Sequence, residues 1–485
     1  MKTRNLFLSL FAFAAICACN KEVVPTVQDT LDGDAYIAVN IVTSDDAFTK
    51  ADEGGYVSGT AENAVNSINL LFFQNGTLVM NSTPAFTWGG SDNDDPSPNI
   101  EKMSEAVTVL RKDDPLPNQL RVILNASDYA NGLTVGTTTL AQVLAKYDDY
   151  SDPKTKGFIM TNSVYATDAT GEEVNNVTMI NPAEHLKATE AAAKASPVKV
   201  YVERVNSKVV VKKGLSYVDH QNFEVDGNPI TLRHKVLGFA VTPEINNSYL
   251  IKNINGITNG DDSDNDTEYW DGWNDAPNFR SYWAVNPTSA TITNSATFTD
   301  ADNNYTADWE ETGTEYVYYP QENVSQSVNP KLIVVAQIEK ETTPGNWTAY
   351  TAYSYAGKWY TESNLLSMAQ NALFAAGYTH RNSDHLEVVP AGTEKDYEVK
   401  IQFKESVTDE IDAEKTVLSN LGYAKKWTEG KCYFYVDIEH FGKKDGNVLK
   451  GLVRNHQYEI TINSISGWGT PGDIGIGGGS EEPII

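Results

Sequence analysis

Cysteine is nearly missing from this chain. Three occur in 485 residues, at positions 17, 19 and 432. Two of them sit in an N-terminal leader, so the body keeps one thiol. That excludes an internal disulfide framework and a cysteine-built metal site. Basic charge is scarce as well: 37 Lys and Arg face 65 Asp and Glu, for a formal net charge of -28. A surface of that sign repels phosphate backbones and anionic lipid, which argues against nucleic acid as a partner. Past the leader no apolar run approaches the roughly 20 residues that a membrane-spanning helix needs. No fixed-period repeat is present, so a solenoid or propeller is disfavoured. GxxxxGK[ST], HExxH and GxSxG are all absent, and with them the usual marks of ATP binding, zinc proteolysis and α/β-hydrolase chemistry.

What is present points to ordered β structure. Hydrophobic residues make up 40% and aromatics 10%, too much for a disordered chain. The 25 Tyr, 34 Gly and 19 Pro favour short strands joined by many turns. At about 150 residues per domain the length implies two to four domains.

The leader is specific. Lys2 and Arg4 precede an apolar run, Leu6 to Ile16, and then Ile16-Cys17-Ala18-Cys19. A positive start, a short apolar stretch and a small residue before the cut form a secretory signal. The last four residues resemble a bacterial lipobox, which implies cleavage before Cys19 and lipidation of its thiol. Residues 20–34 read as a polar tether.

Tyr36 to Val42 alternates, with Ile37, Val39 and Ile41 on one face, and reads as a strand. Residues 43–59 lack periodicity and contain Phe48-Thr49-Lys50-Ala51-Asp52. Ile68 to Phe73 and Thr77 to Met80 flank Asn75-Gly76, a hairpin signature. Gln119 to Leu124 reads as a strand, and Leu140, Val143, Leu144 and Tyr147 share one face of a short helix. Glu184 to Ala195 is helical or linker-like and ends at Ser196-Pro197, where we place a domain boundary. Val198 to Val211, Val236 to Val241, Tyr316 to Tyr319, Leu332 to Ile338, Lys431 to Ile438 and Gln457 to Ile462 are further strands. Thr361 to Ala376 and Glu410 to Leu421 are helices, closed by Gly377 and Gly422.

Several weaker patterns are better read as structure. Gly467-Trp468-Gly469-Thr470-Pro471-Gly472 fits GxGxxG, yet no helix pattern follows to cradle a phosphate. His380 and His385 with Asp384 form the tightest histidine group and suit ordinary polar positions. The acidic loop 261–268 offers carboxylates to calcium but lacks the glycine and terminal Glu of an EF-hand, so a solvated loop is favoured. Trp270, Trp273, Tyr282 and Trp283 suit sugar stacking or plain packing.

One resemblance runs through the later half. Val202-Glu203-Arg204 with Lys208-Val209, Phe239 to Lys252, Tyr318-Tyr319-Pro320-Gln321-Glu322-Asn323, Gly430 to Tyr435 with His440, and Val453-Arg454-Asn455-His456-Gln457-Tyr458 running to Gly467-Trp468-Gly469-Thr470-Pro471 occur in order. Together with the lipobox they resemble the Bacteroidales fimbrillins, nearest to the major-subunit branch of minor (short) fimbriae. The resemblance implies a mostly β chain of two transthyretin-like β-sandwich domains with a few short helices. It implies a signal peptide over 1–18, a removed propeptide over 19–50, an N-terminal domain over 51–197 and a C-terminal domain over 198–485.

It also implies a way of assembling. A trypsin-like maturation protease at the outer membrane removes the lipidated segment with the first strand, Ile37, Val39 and Ile41 included. Lys50 is the candidate cut and Ala51 the new N-terminus; the family more often carries Arg there. A C-terminal strand of the next subunit then fills the groove, with Ile460, Ile462, Ile465, Ile474 and Ile476 as donor candidates. The Gly-rich tail 472–485 departs from the evident final strand of stalk subunits. The expected product is a structural subunit of outer-membrane-attached fimbriae that supports adhesion. Its partners would be neighbouring subunits, anchor and tip subunits, and host or bacterial surface ligands. No cofactor and no catalysis are called for. A tip or accessory adhesin, or a surface glycan-binding lipoprotein, are the alternatives.

Overall fold

A computed structural model of the protein describes residues 33–44, 62, 64–86, 88, 100–166, 174–175, 177–212, 217–253, 270–272, 279–281, 284–287, 292–293, 310–312, 315–324, 329–393, 395–444, 447–465 and 467–472. The fold is mostly β, with sandwich-like sheets and short helices, as the composition implies. Among the described residues no helix is long and apolar enough to cross a membrane.

The first unit is built on one long sheet. Its strands are β1 (Ala35–Ser44), β2 (Ile68–Gln74), β3 (Thr77–Ser82), β4 (Ile100–Leu110), β5 (Gln119–Leu124), β6 (Met160–Asn162) and β7 (Val198–Arg204). They run in the order β3-β2-β5-β6-β7-β1-β4. The two ends of that order meet. Ser82 Oγ lies 2.9 Å from Thr108 Oγ1, and Phe86 bridges Ala106 just beyond β3. The sheet therefore curls round a shared core that includes Ile37, Val39, Leu70, Phe72, Val122 and Val200.

The continuous apolar run of β2 has a simple cause. Leu70 and Phe72 face that core, while Leu71 and Phe73 face a second cluster with Val143 of the helix Leu140–Leu144. Asn75 (φ 52°) and Gly76 (φ 79°) make the β2–β3 turn, whose two positive φ values suit the right-handed strand twist.

The strand β7 lies on the C-terminal side of the expected boundary at Pro197. It nevertheless pairs with β1 and β6 in the first sheet. Its inward residues Val198, Val200 and Val202 belong to the first core, and the chain crosses to the second unit over Val205–Ser207.

The second unit opens with β8 (Lys208–Lys212) and closes with β9 (Gln457–Thr461), which pair in parallel. The opposing sheet runs through Tyr217–Val225, Asn228–Thr242 and Lys331–Thr343, with Lys431–Asp437 on the last of these. Val209, Val211, Leu332, Val334, Phe434 and Tyr458 pack between the two layers. Cys432, the body's lone thiol, is buried here, and burial raises its pKa well above the ordinary thiol value.

A third packing centre spans 352–427. Five short strands carry the helices Glu362–Ala375 and Asp412–Ser419 on one face. Both helices match the sequence periodicity. Thr361 caps the first through its hydroxyl, and Gly377 at φ 96° ends it.

Candidate assembly site

Alternation in β1 sends Ala35, Ile37, Val39 and Ile41 to the core; the last three are at most 1% exposed. The strand is interior. It runs antiparallel to β4, from Ala35↔Leu110 to Thr43↔Lys102, and parallel to β7, from Val39↔Val198 to Thr43↔Val202. Taking β1 away would leave two facing rows of unpaired backbone groups and an apolar trench between them. The structure thus places the removed-strand candidates together in one slot. The other candidates, Cys19, Lys50, Ala51, Ile474 and Ile476, lie outside the described residues, as does the acidic loop 261–268.

Sequence reasoning assigned neither of two elements to the site, although it read Glu184 to Ala195 as helical or linker-like. One is β4, the longest partner of β1. Its alternation of Ala106, Thr108 and Leu110 was readable, but a hydroxyl among small apolar residues gives little contrast. The other lies on the outer face of β1, where Ala38 and Val42 are as buried as the core-facing residues. Helix α2 (Glu190–Lys194) lies over that face, and helix α1 (Pro182–His185) precedes it in the strap. The backbones of Tyr36 and Lys187 exchange hydrogen bonds of 2.7 and 3.0 Å. Helix α2 packs on both β1 and β4. Lys194 reaches Glu190 at 3.0 Å and Glu105 of β4 at 3.2 Å, and these two carboxylates raise its pKa.

The remaining donor candidates sit in their own unit. Ile460 of β9 packs against the second core, and Ile462 and Ile465 are 4% and 1% exposed within it. Donating them would unmake that core. The GxGxxG stretch is a plug. Trp468 stacks on Trp359 at 3.8 Å and 14°, and its carbonyl accepts from Trp427 Nε1 at 2.8 Å. Gly469 has φ 61°, and a Cβ there would meet the Tyr433 carbonyl at 2.9 Å.

His380 and His385 have separate structural tasks. The first reaches Glu414 at 3.1 Å. The second accepts from the Asn382 amide at 3.2 Å. No group of metal-ligating side chains occurs among the described residues. Trp270 opens a short strand, Trp270–Gly272; Trp273, Tyr282 and Trp283 lie outside the described residues.

The sequence blocks that carried the family resemblance converge on a buried polar seam beside the crossing at Val205–Ser207. Arg454 is fully buried. It donates to Glu322 at 3.0 Å and to the carbonyls of Tyr249 and Leu250 at 2.7 and 3.2 Å. Lys252 pairs with Glu203 at 3.1 Å, both side chains wholly buried. Desolvation raises the Glu203 pKa, while Lys252 and Arg454 oppose that rise. Lys208 and Tyr319 both reach Glu62, at 2.8 and 2.5 Å, and Asn455 Oδ1 accepts from Arg204 at 3.1 Å. Each charge has a partner at hydrogen-bond distance, which is the condition for holding charges in a low-dielectric interior. These residues join the two units.

No family model matches the chain, and no curated protein matches it. Solved structures give partial likenesses. A fimbrial assembly protein from Parabacteroides distasonis aligns at 11% identity over 63% of this chain and 82% of its own, with a TM-score of 0.29. The tip fimbrial protein Mfa3 from Porphyromonas gingivalis, with a C-terminal truncation, aligns at 10% identity over 62% and 78%, with a TM-score of 0.29. A fimbrial protein from Bacteroides ovatus aligns at 12% identity over 63% and 44%, with a TM-score of 0.24.

Proposed function

We propose that this chain is a structural subunit of surface fimbriae, made as a lipoprotein precursor and assembled by strand exchange at the β1 slot. The observation that carries the reading is the placement of β1. A strand near the N-terminus is buried between β4 and β7, while Lys50, the candidate cut, follows it by six residues. A cut at Lys50 would leave β1 held only by hydrogen bonds and packing. Its loss would create a templating edge, and an incoming strand restores both ladders. Because donor and acceptor are different surfaces, the contact repeats without closing and gives a filament.

In this reading residues 1–18 are the signal peptide, Cys19 carries the lipid, 19–50 is the propeptide, and the two sandwich units follow. The maturation protease is trypsin-like. The partners are neighbouring, anchor and tip subunits, and the filament supports adhesion. The enclosed polar seam, with its buried ion pairs, supports a structural role for the resemblance blocks.

The test is brief trypsin treatment of the precursor lacking residues 1–19. The expected result is one early cut at Lys50, followed by a heat-sensitive ladder of oligomers on gels. A resistant monomer with an intact N-terminus would refute the reading.

A further inference from the structure

Among the described residues, one lysine–carboxylate pair has both side chains at 0% exposure: Lys252 with Glu203. The next most enclosed pair of this kind, Lys208 with Glu62, stands at 9% and 3%. Glu203 lies in β7 of the first unit. Lys252 follows Leu250 and Ile251, which are buried in a cluster with Leu71, Phe73 and Val453. Lys252 Nζ stands 3.1 Å from Glu203 Oε2.

The surroundings hold both groups in place. Glu203 lies opposite Thr161 in the ladder between β7 and β6. The Thr161 hydroxyl donates to the Leu250 carbonyl at 3.0 Å. The residue across from the carboxylate therefore also fixes the backbone two positions before the amine. Arg454 donates to the same carbonyl at 3.2 Å, and the Asn253 carbonyl accepts from the Val285 amide at 2.8 Å. Groups held together in this way react with the advantage of an intramolecular reaction. The medium acts in the same direction. In water an acid and an amine ionise each other, which opposes amide formation; burial removes the hydration that those ions need. Desolvation raises the Glu203 pKa, Lys252 and Arg454 oppose that rise, and the Glu322 charge adds to it.

We infer that Lys252 and Glu203 close an isopeptide bond once the chain has folded, whether or not the chain assembles. A proton passes from the Lys252 ammonium to the Glu203 carboxylate. The amine lone pair then attacks Glu203 Cδ. The Nζ–Cδ bond forms, the Cδ–O bond breaks, and the leaving hydroxyl takes a second proton from Nζ to depart as water. The atoms balance with one water released, and nothing is oxidised or reduced. The product is a neutral amide, which removes two charges from the interior. It ties the end of β7 to the segment that follows the long strand Asn228–Thr242 of the second unit. The two units are then joined by a second covalent route besides Val205–Ser207.

The test is a peptide map of the full precursor, folded first, then denatured and digested with trypsin. An unlinked chain gives Val200–Arg204, Val236–Lys252 and Asn253–Arg280 as separate peptides. The folded chain is expected to resist cleavage after Lys252. It should give one branched peptide, Val200–Arg204 joined to Val236–Arg280, lighter by one water than the two together. Fragment ions should place the bond at Glu203 and Lys252. Chain recovered unfolded from inclusion bodies should give the three separate peptides and gain the branched one on refolding. Three separate peptides from the folded chain would overturn the proposal and leave a plain ion pair. An equal yield of the branched peptide from chain that has never folded would overturn the part assigned to the fold.

Discussion

The hold of β1 in its slot can be weakened in measured steps. Ile37 is 0% exposed, faces the shared core and pairs with Thr108 in the ladder to β4. Ile37→Ala removes three carbons from a filled interior, for a loss of about 3 kcal/mol within a range of about 2–5. Ile37→Val removes one carbon and costs about 1 kcal/mol. Global unfolding reports every packing centre at once, so it is a poor readout for β1 alone. Hydrogen exchange of residues 38–43 in the uncleaved chain reads the slot alone. A loss of about 3 kcal/mol in local opening speeds those amides roughly a hundredfold, and about 1 kcal/mol roughly fivefold. The amides of β9 in the second unit should be unaffected. After cleavage at Lys50, the same series should order the rate at which the freed strand leaves. Changes below threefold for Ile37→Ala would refute the packing argument. An equal acceleration in β9 would show that β1 and the second unit open together.

Two other outcomes follow from the buried polar groups. Arg454→Met strands Glu322 without its guanidinium partner and should cost about 3–5 kcal/mol, whereas Arg454→Met with Glu322→Leu should recover much of that loss; a chemical-denaturation double-mutant cycle measures it, and a double variant no better than the single one would refute the pairing. His440 is buried and neutral, its pKa lowered by desolvation, and secondarily by Lys252, from 6.5 to about 3. The folded value lies below the unfolded one, so the stability is present above pH 6.5. It is lost as the pH falls toward 3, by up to about 1.4 kcal/mol per pH unit. His440→Gln should therefore narrow the gap between melting temperatures at pH 7 and pH 4.5, and an unchanged gap would refute the assignment.

The parts of the fold legible in the sequence are those with strong local signals. Asn75-Gly76 fixed its hairpin through positive φ, and the helix Glu362–Ala375 showed both its apolar stripe and its terminal glycine. The alternation of Ile37, Val39 and Ile41 gave β1 correctly, one or two residues short at each end. What could not be read depends on neighbours distant in sequence. Glu203, Arg204 and Lys208 look solvent-facing until Lys252, Asn455 and Glu62 arrive beside them. Glu190–Lys194 reads as a helical spacer because alanines gain meaning only from what they touch. The boundary at Pro197 is a true break in local pattern, yet the strand after it still belongs to the first sheet.

Both units share a feature with a mechanical consequence. In each, the first strand lies parallel to the last: β1 beside β7, and β8 beside β9. Tension applied at the start of the first strand and the end of the last would slide the two past each other. All the cross-strand hydrogen bonds would then be loaded at once, not peeled singly. A chain of such units passes force from ladder to ladder through the three residues Val205–Ser207. Resistance to pulling thus arises in the short parallel ladders that close each unit, and in the first unit one strand of that ladder is the one subject to exchange.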